Sequence, residues 1–332
     1  MWLINSLSGM YVVQTFLHSL VAILIIERAI RIWDIKNPLN QFRYRLMTLI
    51  LPISMFPLYN LINMNRNSLY FREERALFNM HRWLTVELWD IIPVSTIFML
   101  LLIATSGVFF FQELIPIFRD LSSRGKDNFS DDHPSNAEID SMVTELSMSL
   151  GIEKPPVSII DNENPVILTA GSNTHSIVLS SGLIKLLDRE QLRSAIAHEL
   201  AHIVRRSNTT TWIIFIIRAM MFFNPIVLIV FRRIVQDDEH ICDDITVSLT
   251  KKPLVLASAL KIFYSSLYGK KAFLMGGIAS LKDGLENHSH DLLLKERIAR
   301  LENREDYRDK EFDWVRFILT TGVIIIINYF VV

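Results

Sequence analysis

Long apolar runs separated by charged segments dominate the first third of the chain. The runs lie at residues 10–26, 46–64 and 91–111, and each approaches the roughly 20 residues that a helix needs to cross a bilayer. The second run contains two prolines, which bundled membrane helices tolerate. The pattern predicts three transmembrane helices within residues 1–117, with a loop at about 65–90.

The charges between these runs predict how the helices are oriented. Residues 27–45 hold an excess of Lys and Arg over acidic side chains, which is typical of cytoplasmic loops. The N-terminus and the loop at 65–90 are then expected outside, and the chain from about residue 112 onward begins inside. We expect a multi-pass protein of a cell membrane, the bacterial inner membrane, with its polar part in the cytoplasm.

The composition becomes polar after about residue 118, where a Ser-, Asp- and Asn-rich linker is predicted at 122–136. Helical spacing follows over 136–150 and stops at Gly151. Three short strands are predicted at 157–160, 164–169 and 177–179, with a turn at 171–173. A helix follows these strands, so this part of the chain is predicted to be a small α+β unit.

A fourth apolar run, residues 211–231, is long enough to span a membrane, but Arg218 and Asn224-Pro225 interrupt it. A fifth run at the end of the chain predicts a C-terminal transmembrane helix over 313–332. The predicted fold class is a polytopic α-helical membrane protein with an inserted small α+β domain at 118–312, and that domain includes the interrupted run.

The stretch His198-Glu199-Leu200-Ala201-His202 has the spacing of a zinc motif. Residues four apart lie on one face of a helix, so both imidazoles can reach a single zinc ion. Glu199 then lies close enough to act on a water at the metal. The alternative is a helix with two surface histidines and a glutamate between them.

A catalytic zinc usually keeps three protein ligands, so a third is needed. The acidic segment 237–244 follows the interrupted run and contains Glu239 as the favoured ligand. Asp243 lies on the same helical face and can bond the second ring nitrogen of a ligand histidine. By geometry His240 is a rival ligand, and a solvated helix start is the alternative reading of the whole segment.

The composition argues against a nucleic-acid partner and against a cysteine-based metal cluster. The chain is 50% hydrophobic with a formal net charge of −1, so it has no basic surface for nucleic acid. The single cysteine, Cys242, excludes an internal disulfide and a cysteine-based metal cluster. It is expected to be a small buried residue. Any metal is therefore expected to be held by nitrogen and oxygen.

Two segments resemble the membrane gluzincin peptidases: 179–183 (Leu-Ser-Ser-Gly-Leu) and 192–202, which contains the histidine motif. Two families share that signature, the HtpX and CAAX-prenyl-protease family and the β-lactam-sensor antirepressor family (BlaR/MecR-like). The order Phe223-Asn224-Pro225, then Arg232-Arg233, then Glu239-x-x-Cys242-Asp243 resembles the second family. The single interrupted run between the histidines and Glu239 also fits that family better.

This resemblance implies a zinc peptidase with one Zn²⁺ per chain. Carried over by position, His198, His202 and Glu239 hold the metal, Glu199 is the general base and Asp243 orients a ligand. The implied substrate is a protein or peptide, cleaved on the cytoplasmic side in regulated signalling. Because both halves of the site must meet at one ion, residues 211–231 are expected to be re-entrant or to lie against the membrane helices.

Other candidates are weaker. His288, His290 and Arg297 could stabilise an oxyanion or contact substrate, although a flexible loop for the histidines and a solvated helix charge for Arg297 are the favoured readings. An edge strand near 165–169 could pair with an extended substrate.

One departure bears on the signal. Antirepressor sensors carry a penicillin-binding domain after the last membrane helix, whereas this sequence stops at Val332. An outside signal is therefore expected to enter through the 65–90 loop, the membrane or a sensor partner. The alternatives are an HtpX-like quality-control protease and a non-proteolytic membrane sensor with a structural zinc. A transporter or channel has little support, because the predicted spans lack paired charges.

Overall fold

A computed structural model of the chain describes residues 6–115, 136–170, 175–205, 207–271, 293–303 and 311–331. The predicted linker before residue 136 and the predicted turn at 171–173 lie outside these residues. The chain forms two compact units. The first comprises Met1–Asp127, Trp212–Asp237 and Asp309–Val332, and the second comprises Asn128–Thr211 and Asp238–Arg308.

The elements are named in chain order. Up to residue 114 they are α1 (Leu7–Ile32), α2 (Pro38–Ile62), α3 (Leu69–Glu74), α4 (Met80–Leu84), β1 (Glu87–Leu88), β2 (Ile92–Pro93), α5 (Val94–Val108) and a π-helical turn (Phe109–Leu114). Next come α6 (Ala137–Leu150), β3 (Val157–Ile160), β4 (Ile167–Ala170), β5 (Ser176–Ser180), α7 (Ser181–Leu186) and α8 (Arg189–Arg205). The last are α9 (Ser207–Met220), α10 (Pro225–Thr250), α11 (Pro253–Lys271), α12 (residues 293–302) and α13 (Trp314–Tyr329).

Three helices of the first unit are long and apolar enough to cross a membrane, Leu7–Ile32, Pro38–Ile62 and Val94–Gln112. This confirms the predicted helical membrane protein, and the three apolar helices lie where the three spans are predicted. The predicted loop at 27–45 is mostly helix, because α1 continues to Ile32 and α2 begins at Pro38. Asn37 caps α2 by accepting from the backbone amides of Leu39 and Asn40 at 2.8 and 3.2 Å.

Paired charges explain why those helices extend through a charged segment. Arg45 on α2 donates to Glu27 on α1 at 3.1 Å and to Asp237 on α10 at 2.5 Å. Arg233, one turn before Asp237, approaches Glu27 at 2.7 Å. Because Asp237 is 2% exposed, its carboxylate depends on such partners. The network holds α1, α2 and the first half of α10 together.

The apolar run at 211–231 is broken as its sequence predicts. Helix α9 ends at Met220 and α10 begins at Pro225, with a turn between them. Asn224 is fully buried and accepts from the Ile226 amide at 3.0 Å, which starts α10. Its amide group donates to Ser19 Oγ at 3.0 Å and to the Thr15 carbonyl at 3.4 Å, both on α1. The turn therefore lies beside the middle of the first membrane helix.

The predicted C-terminal helix is present as α13, which has 16 residues and packs against α1 and α2. Its last carbonyls bind a fully buried arginine, since Arg66 donates to Asn328 O at 3.1 Å and to Tyr329 O at 3.0 Å. A cation at a helix C-terminus also complements the helix dipole. The helix is shorter than the predicted span, so its crossing of the membrane stays a prediction.

The second unit places a three-stranded sheet against helices. The strand order is β3-β5-β4, with β3 parallel and β4 antiparallel to β5. The first predicted strand has its expected bounds, and the other two lie within three residues of theirs. One core joins the inner face of the sheet to α6, α7, α8 and α11, with Ile177, Leu179, Leu192 and Leu200 among its buried residues.

The contacts of Ser180 and Gly182 explain the sequence of the segment 179–183. Ser180 Oγ caps α7 by accepting from the Leu183 amide at 3.1 Å, and it also accepts from the Val166 amide at 2.8 Å. A Cβ at Gly182 would lie 2.2 Å from the carbonyl oxygen of Glu163, so only glycine fits there. This junction fixes where α7 leaves the sheet.

The helix of the histidine motif starts immediately after α7. The Asp188 side chain accepts from the Gln191 amide at 2.8 Å and the Gln191 side chain accepts from the Asp188 amide at 3.1 Å, which is a capping box. The sheet, α7 and this cap together position α8 in the core of the second unit.

Candidate metal centre

Two helices of the second unit bring the predicted ligands together. His198 and His202 lie one turn apart on α8, with ring centroids 4.8 Å apart. Glu239 on α10 faces both rings, at 3.5 Å from His198 Nε2 and 3.6 Å from His202 Nε2. One ligand atom from each residue lies within 4.8 Å of the other two. The three side chains can therefore bind one ion.

The other nitrogen of each imidazole faces α10 as well. His198 Nδ1 lies 3.2 Å from Asp243 Oδ1, and His202 Nδ1 lies 3.3 Å from Cys242 Sγ. Both partners are fully buried. One helix thus supplies the predicted ligand carboxylate and a partner for each histidine, so that both Nε2 atoms face Glu239.

A second contact fixes α8 against α10 next to these ligands. Arg205, at the end of α8, donates to Asp238 Oδ1 at 2.6 and 3.1 Å. Asp238 directly precedes Glu239, and Arg205 follows His202 by less than a turn. This ion pair therefore restrains the spacing between the two ligand-bearing helices.

A buried arginine joins the two carboxylates. Arg297 on α12 donates to Asp243 through Nε at 2.9 Å and through Nη2 at 2.7 Å. Its Nη1 lies 2.7 Å from Glu239 Oε2. The residue is 8% exposed, so the expectation of a solvated helix charge at Arg297 is wrong. The cation balances two carboxylates that would otherwise repel each other.

These contacts set the charge of the metal-free site. Burial alone would lower the pKa of His198, but the bonds to Asp243 and Glu239 outweigh it and raise the pKa to about 9. Burial opposes ionisation of Glu239, yet His198 and Arg297 lower its pKa to about 2. Arg297 likewise holds the pKa of Asp243 well below its usual value. Burial and then the charge of His198 lower the pKa of His202.

The predicted general base lies at the edge of the same group. Glu199 accepts a hydrogen bond from Thr169 Oγ1 at 2.9 Å on Oε2. Thr169 belongs to β4, which is an edge strand of the described sheet. A cavity of about 190 Å³ adjoins the ligands and is lined by Glu199, Glu239 and Tyr264, together with apolar side chains.

A family model described as BlaR1 peptidase M56 matches residues 53–254, which is more than half of the chain. The chain belongs to this family. The match includes the predicted ligands and the interrupted apolar run, so the predicted resemblance to the BlaR-type membrane metallopeptidases is confirmed.

Several curated relatives match a shorter stretch. The chain is 41% identical over 70 residues to "Protease HtpX homolog" of Bacteroides fragilis (strain YCH46), covering 20% of this chain and 22% of that protein. It is 33% identical over 75 residues to "Protease HtpX" of Legionella pneumophila, covering 22% and 27%. It is 38% identical over 71 residues to "Protease HtpX homolog" of Pyrococcus furiosus, covering 21% and 25%. The chain thus spans about a quarter of the length of these relatives.

Not every predicted site residue joins the group. His240 is buried beside the ligands but is not part of the metal-binding group within the described residues. His288 and His290 lie outside the described residues. Thr169 contacts Glu199, and Cys242 contacts His202. The sequence alone predicted no role in the metal centre for either residue. The order Glu239-x-x-Cys242-Asp243 is the signal in the sequence that could have pointed to the cysteine.

The donor set fits zinc, because two imidazole nitrogens and one carboxylate oxygen are typical of a catalytic zinc site. A second grouping, His202, Asp238 and Cys242, also lies within 4.8 Å. It contains one imidazole, whereas the first grouping has two imidazoles whose Nε2 atoms both face Glu239. The first is therefore the better metal site.

Zinc affinity is expected to rise with pH. A histidine must be neutral to bind a metal, and His198 holds its proton up to a pKa of about 9. Since one proton must leave, the apparent association constant is expected to rise about tenfold per pH unit from pH 6.5 toward 9. Competition with a zinc chelator across this range measures it. In Asp243→Asn the slope is expected to flatten, and a pH-independent affinity in the unmodified protein would contradict the assignment.

Proposed function

We propose that this chain is a membrane-embedded zinc metalloendopeptidase that cleaves a protein substrate on the cytoplasmic side, in regulated signalling proteolysis. The observation that supports this best is the cavity beside the three ligands, with Glu199 in its wall. Family membership and the named proteases among its relatives support the same chemistry.

The cavity also favours a catalytic zinc site over a structural one. Structural zinc is closed by four protein ligands, whereas catalytic zinc keeps three and leaves one position open. Among the residues that the structure describes, His198, His202 and Glu239 form a group of three, and the space next to them is lined by a further carboxylate, Glu199. This arrangement favours catalysis over a purely structural role.

Different residues of the site have different roles in peptide hydrolysis. Zinc, when bound, supplies a Lewis acid that polarises a peptide carbonyl and makes water more acidic. Glu199 accepts a proton from the attacking water and returns it to the leaving amine. Thr169 occupies Oε2 of that carboxylate, which leaves Oε1 for the proton. Arg297 keeps the carboxylates of Glu239 and Asp243 ionised. Glu239 can then bind the metal, and Asp243 can accept the Nδ1–H of His198.

The edge strand supports a peptide substrate. β4 pairs only with β5 among the described strands, so its other side can receive an extended chain as an additional strand. Thr169 connects this strand directly to Glu199. A substrate held along β4 would therefore have its backbone close to the general base.

The cavity walls indicate which side chains fit beside the scissile bond. Leu183, Leu187, Ala195, Leu260 and Phe263 line it. Its volume of about 190 Å³ exceeds the roughly 150 Å³ of an apolar cavity that admits benzene. We therefore propose a substrate with a large apolar residue next to the cleaved bond.

Filling the cavity tests that specificity. Ala195→Leu adds a larger side chain to the cavity wall. We therefore expect kcat/KM for a peptide with leucine next to the cleaved bond to fall about 10- to 200-fold. A matched peptide with alanine there is expected to change little. Steady-state kinetics on the two peptides measure the difference. An equal loss for both peptides would place the apolar residue elsewhere.

The location at the membrane has its own support. Asn224 bonds to the middle of α1, which favours an apolar hairpin that enters the bilayer and returns. Glu239 follows Pro225 on the same helix by about four turns. The excess of Lys and Arg near residues 27–45 favours a cytoplasmic site.

Mapping the new termini of cleaved cellular proteins tests both the peptidase activity and whether it serves regulation or quality control. Membrane and cytosolic proteins are compared from cells with the unmodified chain and with Glu199→Gln. One or a few cleavage sites that depend on Glu199 support a dedicated regulator as substrate. Many sites, spread over damaged membrane proteins, would favour quality control instead, and identical termini in both cells would reject a peptidase.

A further inference from the structure

The two histidines have unequal partners at the nitrogen that does not face Glu239. His198 Nδ1 faces the carboxylate of Asp243, which is itself held by two bonds from Arg297. His202 Nδ1 faces the sulfur of Cys242 at 3.3 Å. Histidines that bind zinc usually donate their free N–H to a carboxylate, a carbonyl or water. A cysteine in this place is therefore unusual and sits where an orienting group is required.

We infer that Cys242 is the positioning residue for His202, accepting the Nδ1–H so that Nε2 keeps its lone pair toward the metal. This rests on the proposed zinc site and adds a residue to it. A metal at Nε2 requires the proton on Nδ1. Within the described residues, the Cys242 sulfur is the atom that contacts this nitrogen, and Cys242 is fully buried.

The position of Cys242 on α10 explains how the cysteine reaches the ring. Glu239 and Cys242 are separated by about one helical turn, and Asp243 follows directly. The helical turn that directs Glu239 at both Nε2 atoms therefore also directs Cys242 and Asp243, three and four residues later, at the two Nδ1 atoms. The thiol is a weaker acceptor than a carboxylate, so His202 is the less polarised ligand of the two.

Two nearly isosteric variants separate positioning from packing. Cys242→Ser keeps a hydrogen-bond acceptor, and Cys242→Val fills the space without one. We expect zinc affinity, measured by chelator competition, to fall about tenfold or more in Cys242→Val and to stay close to that of the unmodified protein in Cys242→Ser. Thermal unfolding of the metal-free proteins is measured alongside. The control is Val247→Ala, which removes buried volume from the same helix and is expected to leave zinc affinity unchanged.

The outcomes are distinct. Equal zinc affinity in the serine and valine variants overturns the positioning role while leaving the zinc site intact. A loss in Val247→Ala as large as that in Cys242→Val also overturns it, because packing would then explain the effect. If the unmodified protein binds no zinc at all, the proposed function fails and the inference fails with it.

Discussion

Glu199→Gln is expected to abolish peptide hydrolysis while the protein still binds one zinc ion. A positioned general base contributes about 10²- to 10⁴-fold to the rate, and glutamine cannot accept the proton. Glutamine can still accept the hydrogen bond from Thr169 through its amide oxygen, so the fold around β4 is expected to be unchanged. The measurement is kcat on a cleaved substrate together with zinc content and thermal unfolding of the same preparation.

The same helix provides the matched control. Glu190 lies on α8 as well, but it is half-exposed and pairs with Lys252 at 2.7 Å. Glu190→Gln makes the same chemical change outside the cavity, so its kcat is expected to match that of the unmodified protein. A Glu199→Gln protein that retains zinc and full activity would show that Glu199 is not the base.

Removal of Arg297 is expected to destabilise the metal-free protein by about 3–5 kcal/mol. Truncating one partner of a buried ion pair leaves an uncompensated charge, and Arg297→Met leaves Asp243 fully buried without its guanidinium. Glu239 loses its cation at the same time. Zinc supplies positive charge beside these carboxylates, so the loss is expected to be smaller in the zinc-loaded protein. Chemical unfolding with and without zinc measures both values.

Two companion variants make this result specific. Arg300, on the same helix, pairs with Asp244 at 2.6 Å but is partly exposed. Arg300→Met is therefore expected to cost at most about 1 kcal/mol. The double variant Arg297→Met with Asp243→Asn removes both charges and is expected to recover part of the lost stability. Equal effects of Arg297→Met and Arg300→Met would contradict the electrostatic role of Arg297.

Much of the fold was predictable because its signals are local. The three long membrane helices follow from runs of apolar residues, and the break at Asn224-Pro225 follows from a residue that caps helices beside one that starts them. The helix ending at Gly151 follows from the left-handed conformation that glycine adopts there, with φ of 66°. The charged stretch at 27–45 misled the prediction, because Glu27 and Arg45 pair across two helices and so remain helical.

The site was predictable only in part. The spacing of His198 and His202 reports a shared helix face, and the acidic segment after the apolar run suggests where a third ligand can lie. Arg297 is 54 residues from Asp243 in sequence and its contact depends on how α12 packs. Thr169 reaches Glu199 from an edge strand 30 residues earlier. No local pattern encodes these contacts, because they arise from the packing of the second unit.

A zinc titration of the metal-free, full-length protein, with hydrolysis followed in the same sample, tests the proposed function most directly. The substrate is a protein found by mapping termini. We expect hydrolysis to rise in proportion to added zinc and to level off at one ion per chain, because the group of His198, His202 and Glu239 can bind one ion. In Glu199→Gln one ion is expected to bind without hydrolysis. Full hydrolysis before zinc is added, or zinc binding at this site without any hydrolysis by the unmodified protein, would contradict a zinc peptidase.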